Sequence, residues 1–489
     1  MNILRRGISP VVAVALLLVV AVVAVVMFSS WFDSFRSSLF ADIEVQTLQA
    51  NGVDIIDLVG EDLFFQAGTN TSVSSVKVSG NECEFSTGIF SGLHVFDLTS
   101  CLDASSSSVE AVVVTDKGIY SKKFFVGESY HSRELLPVLL WNASSDAGDD
   151  EEAYGIALDS LDNVYVAGDS YNGADYDAWT IKYDSDGNEI WNVTYDGGND
   201  DGAYGVAVDK FGDVYVMVDS NNGVDSDILT FKYDSNGNQI WNVTYDSGEN
   251  DISGDFFFDG ETYFYITGSE SNGIDEDTLV LKYDTNGNQI WNVTYDRGNG
   301  DDGANGIAVD AAGNLYLAEA FSNGIDRDFL LVKYDSLLNE LWNFSYDAGS
   351  GDDFALDVEV DSSGNVYVAG EINAGPSYDM ITFKFDSLGN EIWNVTYDGG
   401  NLDGGWGIAL DASGNAYVSG QTDDGVDYYQ LLVFKYNNLG TELWNVTYGG
   451  PDYEYGYRII LDGAGNVYTT GGTYNGVDMD FLTLKYAQE

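Results

Sequence analysis

Short stretches of alternating apolar and polar residues run along the chain from about residue 135 onward. Glu189–Tyr195 (EIWNVTY) alternates strictly, and a period of two is typical of a β-strand with one buried face. Asn163–Gly168 (NVYVAG) is more continuously apolar and rich in β-branched and aromatic residues, as expected of a buried strand. Clusters of Asp, Gly and Asn between the stretches favour hairpin turns. The pattern predicts short β-strands rather than helices.

These strands belong to a repeat that is marked by the segment Trp-Asn-x-Thr/Ser. Its tryptophans are spaced 50 or 51 residues apart, at Trp141, Trp191, Trp241, Trp291, Trp342, Trp393 and Trp444. Each unit holds four predicted strands, and an array of four-stranded units at such a period is typical of a β-propeller. The repeat therefore predicts a propeller over residues 135–489.

The number of units can be counted from their first and third strands. First strands begin near Gly155, Gly205, Gly306, Asp357, Gly407 and Tyr457, with a degenerate copy at Asp255–Phe258. Seven third strands carry a lysine: Lys182, Lys232, Lys282, Lys333, Lys384, Lys435 and Lys485. No fourth strand follows Leu482–Tyr486, but the early strand Pro137–Trp141 would supply it. We expect a seven-bladed ring whose last blade is completed by this early strand, which leaves no open sheet edge.

A long apolar segment near the N-terminus predicts a transmembrane helix. Val11–Phe28 is eighteen apolar residues without interruption, about 27 Å of helix, which approaches the thickness of a bilayer core. Arg5 and Arg6 precede the segment, and the next basic residue is Arg36. By the positive-inside rule the C-terminal part lies outside the cytoplasm.

The string Arg5-Arg6-Gly7-Ile8-Ser9-Pro10 resembles the class III signal peptide of archaeal type IV pilins. The resemblance implies that a prepilin peptidase cleaves between Gly7 and Ile8, while Arg5 and Arg6 supply the leader charge. The remaining helix would anchor the protein and pack with other pilin subunits through the pilus assembly machinery. The alternative is a signal anchor that is never cleaved.

The repeat itself resembles the SBBP family of β-propeller repeats. The motif G-[IV]-A-[VL]-D-x-x-G-N-x-Y and its continuation K-Y-D-x-x-G-N-x-[IL]-W carry the resemblance, as in Gly407–Tyr417 and Lys282–Trp291. The family implies a fold and a secreted setting, and fold alone decides no function.

We therefore expect a mainly β protein with four parts. They are a leader (1–7), a pilin-like transmembrane helix (8–38), a small β-sandwich with a linker (39–134) and the propeller (135–489). Strands of the sandwich are predicted at Ile55–Leu58, Val73–Val78, Ser108–Val114 and Ile119–Val126.

The two cysteines of the chain, Cys83 and Cys101, both lie in the predicted sandwich. Outside the cell an isolated pair of this kind favours a disulfide, and such a bond typically adds about 3 kcal/mol of stability. Two buried free thiols are the alternative.

The net charge of −61, from 80 acidic and 19 basic residues, excludes a phosphate-binding surface and hence nucleic acid as a partner. Loops between second and third strands carry Asn-Gly-x-Asp-x-Asp, and loops between blades are also acidic. Both loop types open on one face, which should present a crown of carboxylates. Such a crown either keeps the surface solvated or binds Ca²⁺ weakly, basic groups or polyhydroxyl groups. Candidate Ca²⁺ ligands are Asp175, Asp177, Asp225, Asp227, Asp275 and Asp277.

Two further repeated features have a structural and a functional interpretation. Asn-x-Thr/Ser is a glycosylation sequon, or else a solvent-facing pair copied with the repeat; it occurs at Asn70, Asn142, Asn192, Asn242, Asn292, Asn343, Asn394 and Asn445. The third-strand lysines should lie between blades, each paired with a carboxylate of a neighbouring blade.

Catalysis is not expected, and no cofactor is expected beyond weakly bound Ca²⁺. The two histidines, His94 and His131, and both cysteines lie outside the propeller, which excludes histidine triads and His/Cys metal sites there. The sequence thus predicts a cell-surface, pilin-like subunit, outside the cell but attached by its helix or within a filament. Its acidic propeller would serve as an adhesion or interaction head for an unidentified surface protein or glycan. The alternative is a membrane-anchored envelope glycoprotein or lectin-like module that does not polymerise.

Overall fold

The computed structural model divides the chain into two compact units, Met1–Arg133 and Glu134–Glu489. It describes residues 137–488 apart from 299, 350, 376, 424–428 and 450–452, and the backbone of six strands between residues 53 and 125. The predicted leader and helix (1–38) lie outside these residues and stay predictions. Within the described residues, no helix has the length and apolarity needed to cross a bilayer.

The first unit contributes one six-stranded antiparallel sheet. Its strands are β1 (Val53–Val59), β2 (Asp62–Val78), β3 (Asn81–Glu82), β4 (Gly88–Asp97), β5 (Ser108–Thr115) and β6 (Gly118–Phe125). The long β2 pairs with β1, β3, β4 and β5. The predicted strands coincide with β1, β2, β5 and β6. Packing as a sandwich and the Cys83–Cys101 disulfide concern side chains outside the described residues, and both stay predictions.

The second unit is a ring of seven four-stranded antiparallel sheets, which confirms the predicted seven-bladed propeller. The innermost strands are β8 (Glu151–Leu158), β12 (Asp201–Val208), β16 (Asp251–Phe258), β20 (Gly303–Val309), β24 (Phe354–Val360), β28 (Gly404–Leu410) and β32 (Glu454–Leu461). The second strands are β9 (Val164–Tyr171), β13 (Val214–Asn221), β17 (Tyr263–Ser271), β21 (Leu315–Ser322), β25 (Val366–Ile372), β29 (Ala416–Thr422) and β33 (Val467–Tyr474).

The outer half of each blade is formed by a third and a fourth strand. The third strands are β10 (Tyr176–Tyr183), β14 (Ser226–Tyr233), β18 (Glu276–Asp284), β22 (Arg327–Tyr334), β26 (Asp379–Phe385), β30 (Gln430–Tyr436) and β34 (Met479–Ala487). The fourth strands are β11 (Glu189–Tyr195), β15 (Gln239–Tyr245), β19 (Gln289–Tyr295), β23 (Glu340–Tyr346), β27 (Glu391–Tyr397), β31 (Glu442–Tyr448) and β7 (Val138–Ser145).

Blade 7 is closed by a strand from the start of the propeller. The sheet order there is β32-β33-β34-β7, and Trp141 on β7 lies opposite Lys485 on β34. The other six blades each use four consecutive strands. The predicted early strand, Pro137–Trp141, therefore supplies the first part of the closing strand.

The apolar pattern explains how the blades pack. Second and third strands are buried on both faces, whereas fourth strands alternate between exposed and partly buried residues. One core cluster combines Ala157 and Tyr165 of blade 1 with Val206, Val214 and Phe231 of blade 2. Burial of apolar surface between adjacent blades, rather than within a single blade, holds the ring together.

A repeated aspartate holds the hairpin turn between the first and second strands of a blade. Asp159 Oδ1 accepts hydrogen bonds from the main-chain nitrogens of Leu161 and Asn163, and its Oδ2 accepts one from the Asn163 side chain. Gly187 completes the next turn with a φ of 84°, a conformation that glycine adopts without strain. Gly187 also packs against the Trp141 ring. A Cβ at this position would come within 2.9 Å of the indole, so a side chain here would clash.

Candidate binding face

One face of the propeller is formed by the loops between second and third strands and by the loops between blades. Main-chain nitrogens at the start of third strands donate hydrogen bonds to side chains of the following inter-blade loop, as from Tyr176 to Asp200 and from Ser226 to Asn250. The same link joins Met479 to Asp150 across the closure of the ring. The two acidic loop types thus lie side by side, and we call this side of the ring the carboxylate face.

Carboxylates gather at the seams between blades on this face. In each group, one carboxylate comes from the start of a third strand, one follows the fourth strand and one begins the innermost strand of the next blade. The three ligand oxygens of a group lie within 4.8 Å of one another. The five groups in the described residues, which we call the seam triads, are Asp146/Glu151/Asp480, Asp177/Asp196/Asp201, Asp227/Asp246/Asp251, Asp277/Asp296/Asp302 and Asp379/Asp398/Asp403.

The triad between blades 2 and 3 shows the environment of these groups. Asp251 is fully buried and Asp227 is 7% exposed, whereas Asp246 is exposed. Asp251 Oδ2 accepts a hydrogen bond from the main-chain nitrogen of Ser247 at 2.8 Å. Burial, together with the nearby charges of Glu270 and Asp227, raises the pKa of Asp251 to about 6. Two of the three acids in this triad are therefore buried, and the third is open to solvent.

The candidate Ca²⁺ ligands divide between two positions. Asp177, Asp227 and Asp277 are members of seam triads. The other three each accept a hydrogen bond within their own loop, as Asp175 does from Asn172 at 2.7 Å. Asp225 and Asp275 accept the equivalent bonds from Asn222 and Asn272. The same asparagine also donates to the second aspartate of the motif, as Asn172 does to Asp177 at 3.0 Å, so one amide holds both aspartates and only the second belongs to a triad.

Aromatic side chains line the innermost strands of four adjacent blades. Trp406 of blade 6 stacks on Tyr457 of blade 7 with ring centroids 4.6 Å apart. Tyr154 of blade 1 contacts Tyr457 at 5.1 Å and stacks on Tyr204 of blade 2 at 4.9 Å. Tyr455 joins the series at 6.2 Å from Tyr457. We call these five residues the aromatic arc; all are partly exposed.

The arc opens toward the carboxylate face. Tyr154 and Trp406 each lie three residues after a triad member, Glu151 and Asp403. Tyr455 packs with Tyr429 and with the exposed Tyr453. The aromatic surface therefore continues from the central channel to the loops.

Carboxylates border the arc. Glu152 Oε2 accepts hydrogen bonds from the hydroxyl groups of Tyr457 and Tyr154, at 2.8 and 3.2 Å. The Trp406 indole donates to Glu371 at 3.4 Å. Burial and the charge of Glu152 raise the pKa of Asp169 to about 7. Rings, hydroxyls and carboxylates form one surface that offers both apolar contacts and hydrogen bonds.

A cluster of charges spans the central channel. Arg458 of blade 7 contacts Asp255 of blade 3 at 2.6 Å and Asp357 of blade 5 at 2.9 Å. Glu359 is close to the same group, and burial with the charges of Asp357 and Asp255 raises its pKa to about 8. Glu359 also lines a cleft of about 630 Å³ together with Asp361. One guanidinium thus bridges blades on opposite sides of the channel.

The repeated lysines and tryptophans fasten neighbouring blades. Lys182 Nζ and Trp191 Nε1 of blade 1 both donate to the main-chain carbonyl of Ser235 in blade 2, at 3.5 and 3.1 Å. Lys182 also lies 4.8 Å from the centre of the Tyr165 ring and 3.9 Å from Asp159 of its own blade.

The expectation of a carboxylate from the neighbouring blade is therefore wrong for Lys182. It is wrong also for Lys232, which pairs with Asp209 and Asp213 of its own blade. The turn between the first and second strands places its aspartate next to the third-strand lysine of the same blade. The neighbouring blade therefore contributes a main-chain carbonyl rather than a carboxylate.

The predicted sequon asparagines of the propeller are exposed on the fourth strands: Asn142, Asn192, Asn242, Asn292, Asn343, Asn394 and Asn445. Their side chains make local hydrogen bonds, such as Asn192 to Glu189 at 2.7 Å. The asparagines are accessible to a glycosylating enzyme. The side chain of Asn70 lies outside the described residues, as do Gly7, Ile8, Arg5 and Arg6.

Sequence reasoning missed the aromatic arc. One position of the innermost strand varies among blades, the residue that precedes Gly155 in blade 1: Tyr154, Tyr204, Gly254, Asn305, Leu356, Trp406 and Tyr457. Variation at one position of an otherwise regular repeat was the available signal.

No protein-family model matches the chain, and no curated protein matches it significantly. Among solved structures, the WD40 domain of Neurospora crassa Pan2 is similar at 10% identity and a TM-score of 0.48, over 74% of this chain and 98% of that one. Chaetomium thermophilum Sqt1 is similar at 11% identity and a TM-score of 0.44, over 72% and 98%.

The β-propeller domain of the Trilobed protease from Pyrococcus furiosus, whose structure shows an open velcro topology, is similar at 11% identity and a TM-score of 0.40, over 72% of this chain and 96% of that one. Likenesses this distant carry no argument about function. The propeller assignment rests on the strand pairing, and the pilin and SBBP resemblances stay predictions.

Proposed function

We propose that this chain is a cell-surface interaction protein whose propeller binds neutral carbohydrate at the aromatic arc. The observation that carries the proposal is the arc itself, in which Trp406, Tyr457 and Tyr154 form a partly exposed surface bordered by Glu152 and Glu371. Ligand sites combine apolar surface with a few placed polar groups.

The chemistry of the arc suits a polyhydroxylated ligand. Aromatic rings offer apolar surface to the C–H faces of a sugar, and tyrosine hydroxyls and carboxylates accept hydrogen bonds from its hydroxyl groups. The net charge of −61 repels anionic polysaccharides. We therefore assign the preference to neutral glycans.

A binding role is favoured over catalysis by the residues available. Within the described residues, the propeller contains no histidine and no cysteine, so the arc offers carboxylates and hydroxyls without a histidine base or a thiolate for triad-type catalysis. An interaction head needs no such group.

The cell-surface setting is supported by the sequence of the N-terminus. The pilin-like string around Gly7 and Ile8 and the apolar segment after it fit a helix that anchors the propeller outside the cell. Assembly into a filament and attachment of glycans to the exposed sequons belong to the same proposal. The alternative, an anchored envelope glycoprotein that does not polymerise, predicts that the protein stays with the membranes when surface filaments are sheared off.

Isothermal titration of the full chain with a panel of soluble neutral oligosaccharides tests the binding proposal. We expect at least one member to bind, and Trp406→Ala or Tyr455→Ala to weaken its affinity about tenfold or more, as loss of an aromatic anchor does. Tyr176→Ala is the matched control, because Tyr176 packs with Tyr171 on the same face but outside the arc. Equal affinities in all three variants would place the ligand elsewhere, and a panel without any binder would overturn the proposal.

A further inference from the structure

The seam triads hold buried carboxylate oxygens that accept no hydrogen bond. Between blades 2 and 3, Asp227 Oδ1 and Asp251 Oδ1 are both in this state. Between blades 1 and 2 the same holds for Asp177 Oδ1 and Asp201 Oδ1. These four side chains are at most 8% exposed.

Such oxygens are costly to bury. An unpaired polar group loses its hydration without compensation, and neighbouring carboxylates repel one another. The cost recurs in the other three triads, where Glu151 Oε2, Asp277 Oδ1 and Asp403 Oδ1 are also buried without a hydrogen bond. Each triad therefore needs a positive partner, either a proton or a metal cation.

We propose that the five seam triads are Ca²⁺ sites that tie each blade to the next. Three carboxylates from three different strand ends, in a cluster of oxygens only, suit a hard cation, and the flexible coordination of six to eight oxygens by Ca²⁺ leaves room for water and loop carbonyls. Mg²⁺ requires a smaller, octahedral site and gives up its water reluctantly. A bound Ca²⁺ neutralises two negative charges of a triad, whereas a bound proton neutralises only one.

The ligand set goes beyond the acidic loop motif. Asp196, Asp246 and the buried Asp201 and Asp251 come from the inter-blade loop and the next blade, so the cation links two sheets rather than one loop. The triad of Asp480, Asp146 and Glu151 collects acids from the region where β34, β7 and β8 meet. Calcium at this site would secure the closure of the ring.

The chain also contains a seam that lacks the site. Between blades 6 and 7 the equivalent positions are Gln430, Gly449 and Glu454, so a single carboxylate remains. This seam shows that the acids are not needed for blade packing as such. The inference does not depend on carbohydrate binding, because the triads and the arc share no residue.

The first test is titration of the full chain, freed of metal with a chelator, with CaCl₂ at constant NaCl. We expect up to five equivalents to bind with a Kd on the order of 10⁻⁴ to 10⁻³ M, the range of extracellular calcium modules. Saturating Ca²⁺ should raise Tm by about 5 °C or more through mass action. Equal concentrations of MgCl₂ should shift Tm much less. If millimolar CaCl₂ produces neither a heat of binding nor a rise in Tm, the proposal is overturned.

The second test compares two substitutions on one seam. Asp251→Asn removes a triad carboxylate, and Asp225→Asn removes the neighbouring loop acid that already bonds to Asn222. We expect Asp251→Asn to lose about one equivalent of Ca²⁺ yet to match or exceed the wild-type Tm in chelator, because a repelling charge is gone. Asp225→Asn should retain every equivalent.

A purely structural role gives the opposite pattern. In that case Asp251→Asn lowers Tm by the same amount with and without Ca²⁺ and leaves the stoichiometry unchanged, which would refute the assignment. Asp227→Asn provides the same comparison from the other side of the seam if Asp251→Asn does not fold.

Discussion

The indole Nε1 of Trp141 donates a 3.0 Å hydrogen bond to the main-chain carbonyl of Ser185. Trp141 lies on β7, which completes blade 7, and Ser185 lies in the turn after β10 of blade 1. Lys485 of β34 donates to the same carbonyl at 3.3 Å. Trp141 and Lys485, which lie on the two strands of the closing pair, thus donate to the same carbonyl of blade 1.

Removing this indole should loosen the closure. Trp141→Ala is expected to lower the free energy of unfolding by about 2–3 kcal/mol, less than a fully buried tryptophan would cost because the ring is partly exposed. Hydrogen exchange of Met479–Ala487 should also accelerate. Trp191→Ala is the matched control: it loses the same kind of bond, to Ser235, but within a seam away from the closure. It should cost similar free energy and leave the exchange of Met479–Ala487 unchanged; equal acceleration in both variants would contradict the prediction.

Arg458 should be essential for the central channel. Arg458→Met leaves Asp255, Asp357 and Glu359 without their cation, and uncompensated buried charge typically costs about 3–5 kcal/mol. We expect this loss in urea unfolding at pH 8 and a smaller loss at pH 5, because pH 5 lies below the raised pKa of Asp357 (about 6) and of Glu359 (about 8), so both carboxyl groups bind protons there. Lys210→Met serves as control, since its ion pair with Glu261 is exposed and should contribute less than about 1 kcal/mol.

Glu359 should make stability depend on pH. Its pKa is raised to about 8 in the folded protein, against about 4.5 when unfolded, so between these values the native state binds the additional proton. The free energy of unfolding therefore falls as pH rises through this window. Glu359→Gln removes the contribution and should stabilise the protein by about 1–2 kcal/mol at pH 9, where the wild-type carboxyl is charged. Tm measured from pH 5 to 9 checks this, and parallel curves for the two proteins would contradict it.

The pilin-like leader predicts a defined mature terminus. Mass spectrometry of protein from its own surface fraction should find Ile8 as the first residue, because the resemblance implies cleavage after Gly7. Replacement of the small glycine, as in Gly7→Val, should block processing and retain Met1. An intact leader in the wild-type protein would favour the uncleaved signal anchor and remove the filament from the proposed function.

The parts of the fold that recur were predictable from the sequence, because a local pattern decides them. The strict alternation of Glu189–Tyr195 predicts one exposed and one packed face, and the strand has both. The missing fourth strand after Leu482–Tyr486 predicts pairing with the early strand Pro137–Trp141, and Trp141 lies opposite Lys485.

The parts that depend on neighbouring blades were not predictable to the same extent. Asp177 and Asp201 are separated by a whole strand and meet only when blade 2 packs on blade 1. The partner of Lys182 was misassigned for a different reason: Asp159 belongs to the same blade, and its position relative to Lys182 depends on strand register. Arg458 and Asp255 meet only across the completed ring, and no local pattern encodes that distance.

The pairing of β7 with β34 also sets the order of events when the protein is made. The first strand of the propeller to emerge from the ribosome has its partner in the last one, so it waits while six blades form behind it. A chain that is cut short inside the propeller keeps an open edge with unpaired backbone groups, which other chains and proteases can engage. Closure of the ring thus requires the complete propeller, because β7 can pair only when the last blade has been synthesised.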